Sequence, residues 1–132
     1  MSRPDRQIEP GSRVGNWRLC ERIGAGAFAE VWKAEHHEQP GRVAAIKIAT
    51  NPAYRRQLAR EARLPEIDHP NVVPIIDANT RFAELPYIVM PYMPGGSLAG
   101  RIADHPAGLP EEQVARWLVE MLEGLAEIHR CG

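Results

Sequence analysis

Residues 23–34 read Ile-Gly-Ala-Gly-Ala-Phe-Ala-Glu-Val-Trp-Lys-Ala, and the reading of this stretch decides the fold. Gly24 to Ala29 fits the template G-x-G-x-x-G/A of dinucleotide-binding turns, but that template requires a helix directly afterwards and an acidic residue about 20 positions on. Here Glu30 to Glu35 continues in strand-like alternation, and residues 44–50 hold Lys47 and no acid. No Gly-Lys-Ser/Thr follows, which also excludes the phosphate loop of that type. Two readings remain. One is a flap of small residues between antiparallel strands, whose backbone N–H groups can approach phosphates without a Cβ in the way. The other is an ordinary glycine-rich hairpin turn.

The flanks support a hairpin. Upstream, Trp17, Leu19, Glu21 and Ile23 alternate with Arg18, Cys20 and Arg22; downstream, alternation resumes from Glu30 to His36. A turn around Gln39-Pro40-Gly41 leads into an apolar run of strand length, "RVAAIKIA". Asn51-Pro52 is a good helix start, with Asn as N-cap and Pro at the first helical position. The helix is expected to reach about Leu64, because Pro65 cannot donate to the carbonyl of Glu61. "NVVPIIDA" and "LPYIVMPYM" read as two further strands, and Ser97 caps a short helix ending before the Pro/Gly-rich stretch 105–110. In the last helix Val114, Trp117, Leu118, Met121, Leu122, Leu125 and Ile128 form a broad apolar stripe, with Pro110, Glu111 and Glu112 in its first turn. These stripe residues are expected in the core. The element order is three strands, a helix, two strands, then helices: an α+β protein.

Lys47 is the unusual residue of its strand. Within Ala45-Ile46-Lys47-Ile48-Ala49 an ammonium must either snorkel to water or meet an anion. Glu61, on the helix that follows, is placed to pair with it, and such a pair would aim the ammonium at phosphate oxygens. Other candidates read more simply. His36 and His37 are adjacent on a strand, so they point to opposite faces and form no metal pair. Arg55, Arg56, Arg60 and Arg63 line a helix as a solvated basic face.

Composition narrows the class. With 132 residues, 44% hydrophobic and 25% charged, the chain can build a globular core. A net charge of −1 argues against nucleic acid or an anionic membrane as partner. The polar first residues carry no secretory signal, and no apolar run is long enough to span a bilayer. Cys20 and Cys131 form no C-x-x-C; free thiols fit a reducing compartment, and a cytoplasmic location is expected.

Taken in order, these segments resemble the eukaryotic-type serine/threonine protein kinases, including those of bacteria. "IGAGAFAEVWKA" is similar to their glycine-rich loop, and "VAAIK" to the strand bearing the phosphate-binding lysine, here Lys47. "REA" places Glu61 as its partner on the family's C helix. "DHPNVVPIID" resembles the His-Pro-Asn segment, "YIVMPYMPGGSL" the fifth strand, gatekeeper (Met90), hinge and start of the D helix, and "PEEQVARWLVEMLEGLAEIH" the E helix. Residues 1–16, polar and bearing Pro4, Pro10, Gly11 and Gly15, read as a flexible leader, and the resemblance implies part of a kinase domain over 17–132, with a five-stranded antiparallel sheet and the C helix in its N-lobe. Residues 17–93 would form the N-lobe and hinge, and residues 94–132 the first helices of the C-lobe. It implies ATP with Mg²⁺ as cofactor and a protein substrate in a full-length form. ATP would contact Ile23, Gly24, Ala25, Gly26, Ala27 and Phe28 of the loop, Val31 and Ala45 above the adenine, Lys47 at the phosphates, and Met90, Pro91 and Met93 at the back and hinge. Ala29 stands where the family has a third glycine. Pro91 stands where an acidic residue is common, but keeps the carbonyl that the adenine amino group needs. The segment from Glu61 to His69 is one residue shorter than usual.

Phosphoryl transfer also needs an Asp to position the substrate hydroxyl, and acidic and amide ligands for Mg²⁺. Neither H-R-D-x-x-x-x-N nor D-F-G occurs in these 132 residues, so no catalytic or metal-binding residue is assigned beyond the Lys47–Glu61 pair. His129-Arg130-Cys131 is not a degraded H-R-D; with Gly132 it resembles the close of the E helix. The expectation is an inactive ATP-binding part of a kinase cut short before its catalytic loop. The alternative is a non-catalytic, kinase-derived nucleotide- or protein-binding module. Either way the apolar stripe of the last helix calls for a partner to cover it.

Overall fold

The computed structural model describes residues 8–63, 67–81 and 84–131. Most of the expected leader, Pro65 with its helix-ending role, and Gly132 lie outside them. The chain divides into two compact units, residues 1–63 with 75–92, and residues 64–74 with 93–132.

The first unit is an antiparallel sheet with one short helix. Its strands are β1 (Arg13–Val14), β2 (Trp17–Ala25), β3 (Ala29–His36), β4 (Val43–Ala49), β5 (Asp77–Asn79) and β6 (Tyr87–Pro91), in the order β1-β2-β3-β4-β6-β5. Six strands replace the expected five. The additional one, β1, lies in the stretch read as leader. Arg13 pairs with Arg18 and Val14 with Trp17, across a turn in which Gly15 takes φ +58. Glycine is required there twice over, because a Cβ would collide with the Tyr87 hydroxyl. Ile8 and Val14 then pack on the core, a role their polar neighbours conceal in sequence.

Strand alternation sorts side chains onto two faces. Trp17, Leu19, Trp32, Ala34, Ala44, Ile46, Ile48, Tyr87 and Val89 form the main core on one face. On the other, Ala49 and Ile88 pack with Leu58, Tyr54, Ala62, Ile75 and Met90. Strand β2 departs from simple alternation. Its register against β3 slips between Leu19 and Glu21 and again between Arg22 and Gly24, so Cys20 and Ile23 are bulge residues and Ile23 is exposed.

Asn51 caps as expected, its side chain accepting from the Ala53 N–H at 2.9 Å. What it opens is a 3₁₀ turn, Pro52–Tyr54, that runs into α1 (Arg55–Glu61). This helix is shorter than expected, with Ala62 as its C-cap rather than a last turn near Leu64. The strand expected from Asn71 to Ala78 is also shorter. Only Asp77–Asn79 pairs with β6, preceded by an Ile76 N–H bond to the Val89 carbonyl. Pro74 has no N–H to offer a ladder.

The second unit contains α2 (Leu98–Ala103) and α3 (Glu111–Arg130). Ser97 caps α2 by accepting from the Gly100 N–H at 3.0 Å. Asn71 donates its side-chain amide to the Glu120 carbonyl at 3.0 Å and to the Glu123 carboxylate at 3.3 Å. Gly124 permits this approach, because a Cβ there would lie 2.6 Å from the Asn71 carbonyl oxygen. The apolar stripe of α3 is not core in this chain. Val114, Leu118, Met121, Leu122 and Leu125 are exposed, and Trp117 is half-buried.

Candidate functional site

The site is built on the sheet face that carries α1. Residue Lys47 of β4 lies opposite Val31 of β3 and Ile88 of β6, while Ala45 lies opposite Lys33 and Met90. Val31, Ala45, Lys47 and Met90 therefore share one face, next to the turn joining β2 to β3. The turn is closed by the Gly26 N–H donating to the Ala29 carbonyl at 2.9 Å, with Ala27 and Phe28 at its tip. The Phe28 carbonyl accepts from the backbone N–H groups of Thr50 and Asn51 at 3.0 and 3.2 Å, tying the tip to the end of β4.

Lys47 does not snorkel to water. Its ammonium donates to Glu61 Oε2 at 3.0 Å and Oε1 at 3.3 Å, and the two side chains retain 25% and 28% of their accessible surface. The pair expected from the sequence thus meets, on the last residue of α1. A third member was not anticipated: the Tyr54 hydroxyl accepts from Lys47 Nζ at 2.9 Å and donates to Glu61 Oε1 at 2.6 Å. Burial alone would lower the pKa of the ammonium. The hydrogen bonds to Tyr54 and Glu61, with the carboxylate charge, outweigh it and hold Lys47 above its ordinary value. A spacing of seven residues from Tyr54 to Glu61, about two helical turns, was the sequence signal that could have revealed it.

Gly24 and Gly26 differ in kind from Gly15. Neither adopts a positive φ, and a Cβ would meet only Val31 Cβ at 3.8 Å or the Ala29 carbonyl at 3.9 Å. The fold itself makes no use of their missing side chains. An anion approaching the loop backbone would, and this suits a triphosphate beside a fixed ammonium.

The other anticipated residues spread around this core of the site. Ile23, Ala25 and Phe28 are exposed, and Gly24 is half-buried. Pro91 ends β6 opposite Ala44. Met93 belongs to the second unit and is 57% exposed. Among the described residues no group of His, Cys, Asp and Glu could hold a metal ion, and no helix is long and apolar enough to cross a membrane. Both cysteines are exposed free thiols. In the second unit a cavity of about 570 Å³ is bordered by Asn71, Pro74, Gly96, Trp117 and Met121, and Met93 is the one anticipated site residue in its lining.

The serine/threonine-protein kinase ATG1a of Arabidopsis thaliana is 35% identical over 119 residues, covering 87% of this chain and 18% of that protein. The probable serine/threonine-protein kinase SCO3848 of Streptomyces coelicolor is 30% identical over 133 residues, covering 94% of this chain and 20% of the relative. The crystal structure of the Mycobacterium tuberculosis PknI kinase domain superposes with a TM-score of 0.78 at 25% identity, covering 96% of this chain and 52% of that one. The chain thus spans about half of a solved kinase domain and a fifth of these curated relatives. The family profile described as protein kinase domain matches residues 17–132, and the chain belongs to that family.

Proposed function

We propose that this chain is the ATP-binding part of a serine/threonine protein kinase, with the β2–β3 turn over the phosphates and Lys47 contacting them. The observation that carries this reading is the Lys47–Glu61 pair at 3.0 Å on the sheet face beside a glycine loop whose glycines the fold does not itself need. Protein kinases use ATP with Mg²⁺; when bound, ATP supplies the transferable phosphoryl group and Mg²⁺ offsets its charge. The residues of this chain do the holding. Backbone N–H groups of the loop other than that of Gly26, which the Ala29 carbonyl holds, would face the phosphates, and Glu61 fixes the Lys47 ammonium so that little is lost in ordering it when the nucleotide arrives. Val31 and Ala45, small or branched and on the same face, offer an apolar surface for the adenine, with Met90 behind it. The exposed thiols of Cys20 and Cys131 suit the reducing cytoplasm.

Taken alone, these 132 residues bind nucleotide without transferring phosphate, because they include no H-R-D aspartate and no D-F-G aspartate. One observation favours a second reading, a non-catalytic binding module: the apolar stripe of α3 is open, with Leu122 62% exposed, and a partner protein could cover it.

A thermal-shift titration with Mg-ATP tests the main reading. Wild type is expected to gain stability with nucleotide concentration, and Lys47→Ala to bind about tenfold or more weakly, the equivalent of one charged contact. Equal responses from the two proteins would remove Lys47 from the site. Incubation with labelled ATP and a generic protein substrate is expected to show no transfer; labelling by the purified chain would overturn the inactivity of this segment.

A further inference from the structure

We infer that Tyr54 is a positioning residue of the phosphate site, holding Lys47 against Glu61 and tying that pair to the tip of the glycine loop. The inference rests on the ATP-binding reading above and deepens it.

The first argument is hydrogen-bond valence. A phenol has one proton to donate and lone pairs to accept. Tyr54 gives its proton to Glu61 Oε1 at 2.6 Å and accepts from Lys47 Nζ at 2.9 Å, so each partner receives what its charge prefers. With the direct Lys47–Glu61 contacts the three side chains close a triangle. Lys47 Nζ also lies 5.2 Å from the Tyr54 ring centroid, yet it is much nearer the oxygen, so the contact is a hydrogen bond at the ring edge rather than a cation over its face. An ammonium has three protons. With one proton on Tyr54 and one shared between the two Glu61 oxygens at 3.0 and 3.3 Å, the triangle fixes the direction of the third for a phosphate oxygen.

The second argument is the position of the ring. Tyr54 ends the 3₁₀ turn just before α1, and its ring stacks on Phe28 with centroids 6.1 Å apart and planes at 23°. The Phe28 carbonyl is bound by Thr50 and Asn51, so residues 50–54 hold the loop tip through both backbone and ring. One side chain therefore touches the flap, the cation and the carboxylate. Displacing the tip disturbs the stack, and through the hydroxyl disturbs the aim of Lys47.

The chain has only two lysines, Lys33 and Lys47, which makes a direct test practical. Protein labelled with ¹³C at lysine Cε gives two signals, assigned by Lys47→Met, which are titrated from about pH 8 to about pH 12 while circular dichroism confirms the native state. In Tyr54→Phe, which keeps the ring and loses the hydroxyl, the Lys47 midpoint is expected to fall while that of Lys33 stays. Its Mg-ATP affinity is expected to fall about fivefold, the loss of one hydrogen bond to charged groups. Phe28→Leu removes the stack and is expected to weaken Mg-ATP binding with the Lys47 midpoint kept. A wild-type Lys47 midpoint or wild-type affinity in Tyr54→Phe overturns the positioning role, and wild-type affinity in Phe28→Leu overturns the tie to the loop. If Lys47→Met itself binds Mg-ATP like wild type, the nucleotide reading falls and takes this inference with it. If Lys47→Met binds weakly and Tyr54→Phe does not, Tyr54 alone loses its role.

Discussion

Replacing Glu61 with glutamine removes one charge and keeps the shape, so it isolates what the carboxylate does for Lys47. At the observed 3.0 Å, and with an effective dielectric of about 20, the attraction between the charges is about 5.5 kcal/mol. Most of that does not reach stability. Both side chains keep about a quarter of their surface in water, which screens the pair, and drawing each charge partly from water costs energy. The amide oxygen of glutamine can still accept from Lys47 or Tyr54. The net loss for Glu61→Gln is therefore about 1–2 kcal/mol near neutral pH. The sign of the pH dependence follows from linkage. Lys47 is held above its unfolded value of 10.5, so its proton stabilises the native state below that pH, and the stabilisation is lost as pH rises through the folded value. Glu61→Gln brings the folded value down, and its alkaline loss of stability is expected to be smaller than that of wild type. Tyr87, raised by burial and by the charge of Asp77, adds a loss of the same sign to both proteins and cancels in the comparison. Urea unfolding followed by tryptophan fluorescence in a Trp117→Phe background reports on Trp17 and Trp32, both buried in the sheet core. If Glu61→Gln matches wild type near neutral pH and loses as much stability at alkaline pH, the pair contributes nothing and the reasoning fails.

Two further predictions separate glycines the ligand needs from glycines the fold needs. Gly26→Ala has no positive φ to strain and only an ordinary contact at 3.9 Å, so its thermal midpoint is expected to hold or rise slightly, while Mg-ATP affinity by calorimetry falls about tenfold. Wild-type affinity would show that no phosphate approaches that backbone. Gly124→Ala gains about 1 kcal/mol of helix propensity, but its Cβ would lie 2.6 Å from the Asn71 carbonyl oxygen, a backbone atom that cannot swing aside. Overpacking of about 1–3 kcal/mol is expected to win, and a denaturation midpoint at or above that of wild type would refute it.

The sheet and the main site residues could be read from sequence because their signals are local. The glycine turn sits between two alternating segments, and Lys47 lies in a strand whose period of two assigns it to the face opposite Ile46 and Ile48. The pairing with Glu61 needed only the next helix. Strand β1 could not be read so, because its two residues are polar in context and exist as a strand only through pairing with Arg18 and Trp17. The shortening of β5 is likewise a matter of which backbone groups find partners on β6, and an apolar run containing Pro74 conceals it. The bulges at Cys20 and Ile23 shift side chains between faces without any mark in the alternation itself.

The order of the sequence determined the kind of protein: a glycine turn between strands, a lysine in the next strand, an acid on the following helix, and an amphipathic helix at the end. Each of these is a pattern within one element or between neighbours, set by the periods of strand and helix. Tertiary structure alone decided that Tyr54 bridges Lys47 and Glu61 while its ring meets Phe28. It also decided that Gly124 serves the approach of Asn71. These depend on side chains from different elements converging within hydrogen-bond distance, and a donor, an acceptor or an absent methyl group carries no sign in sequence of what it will face.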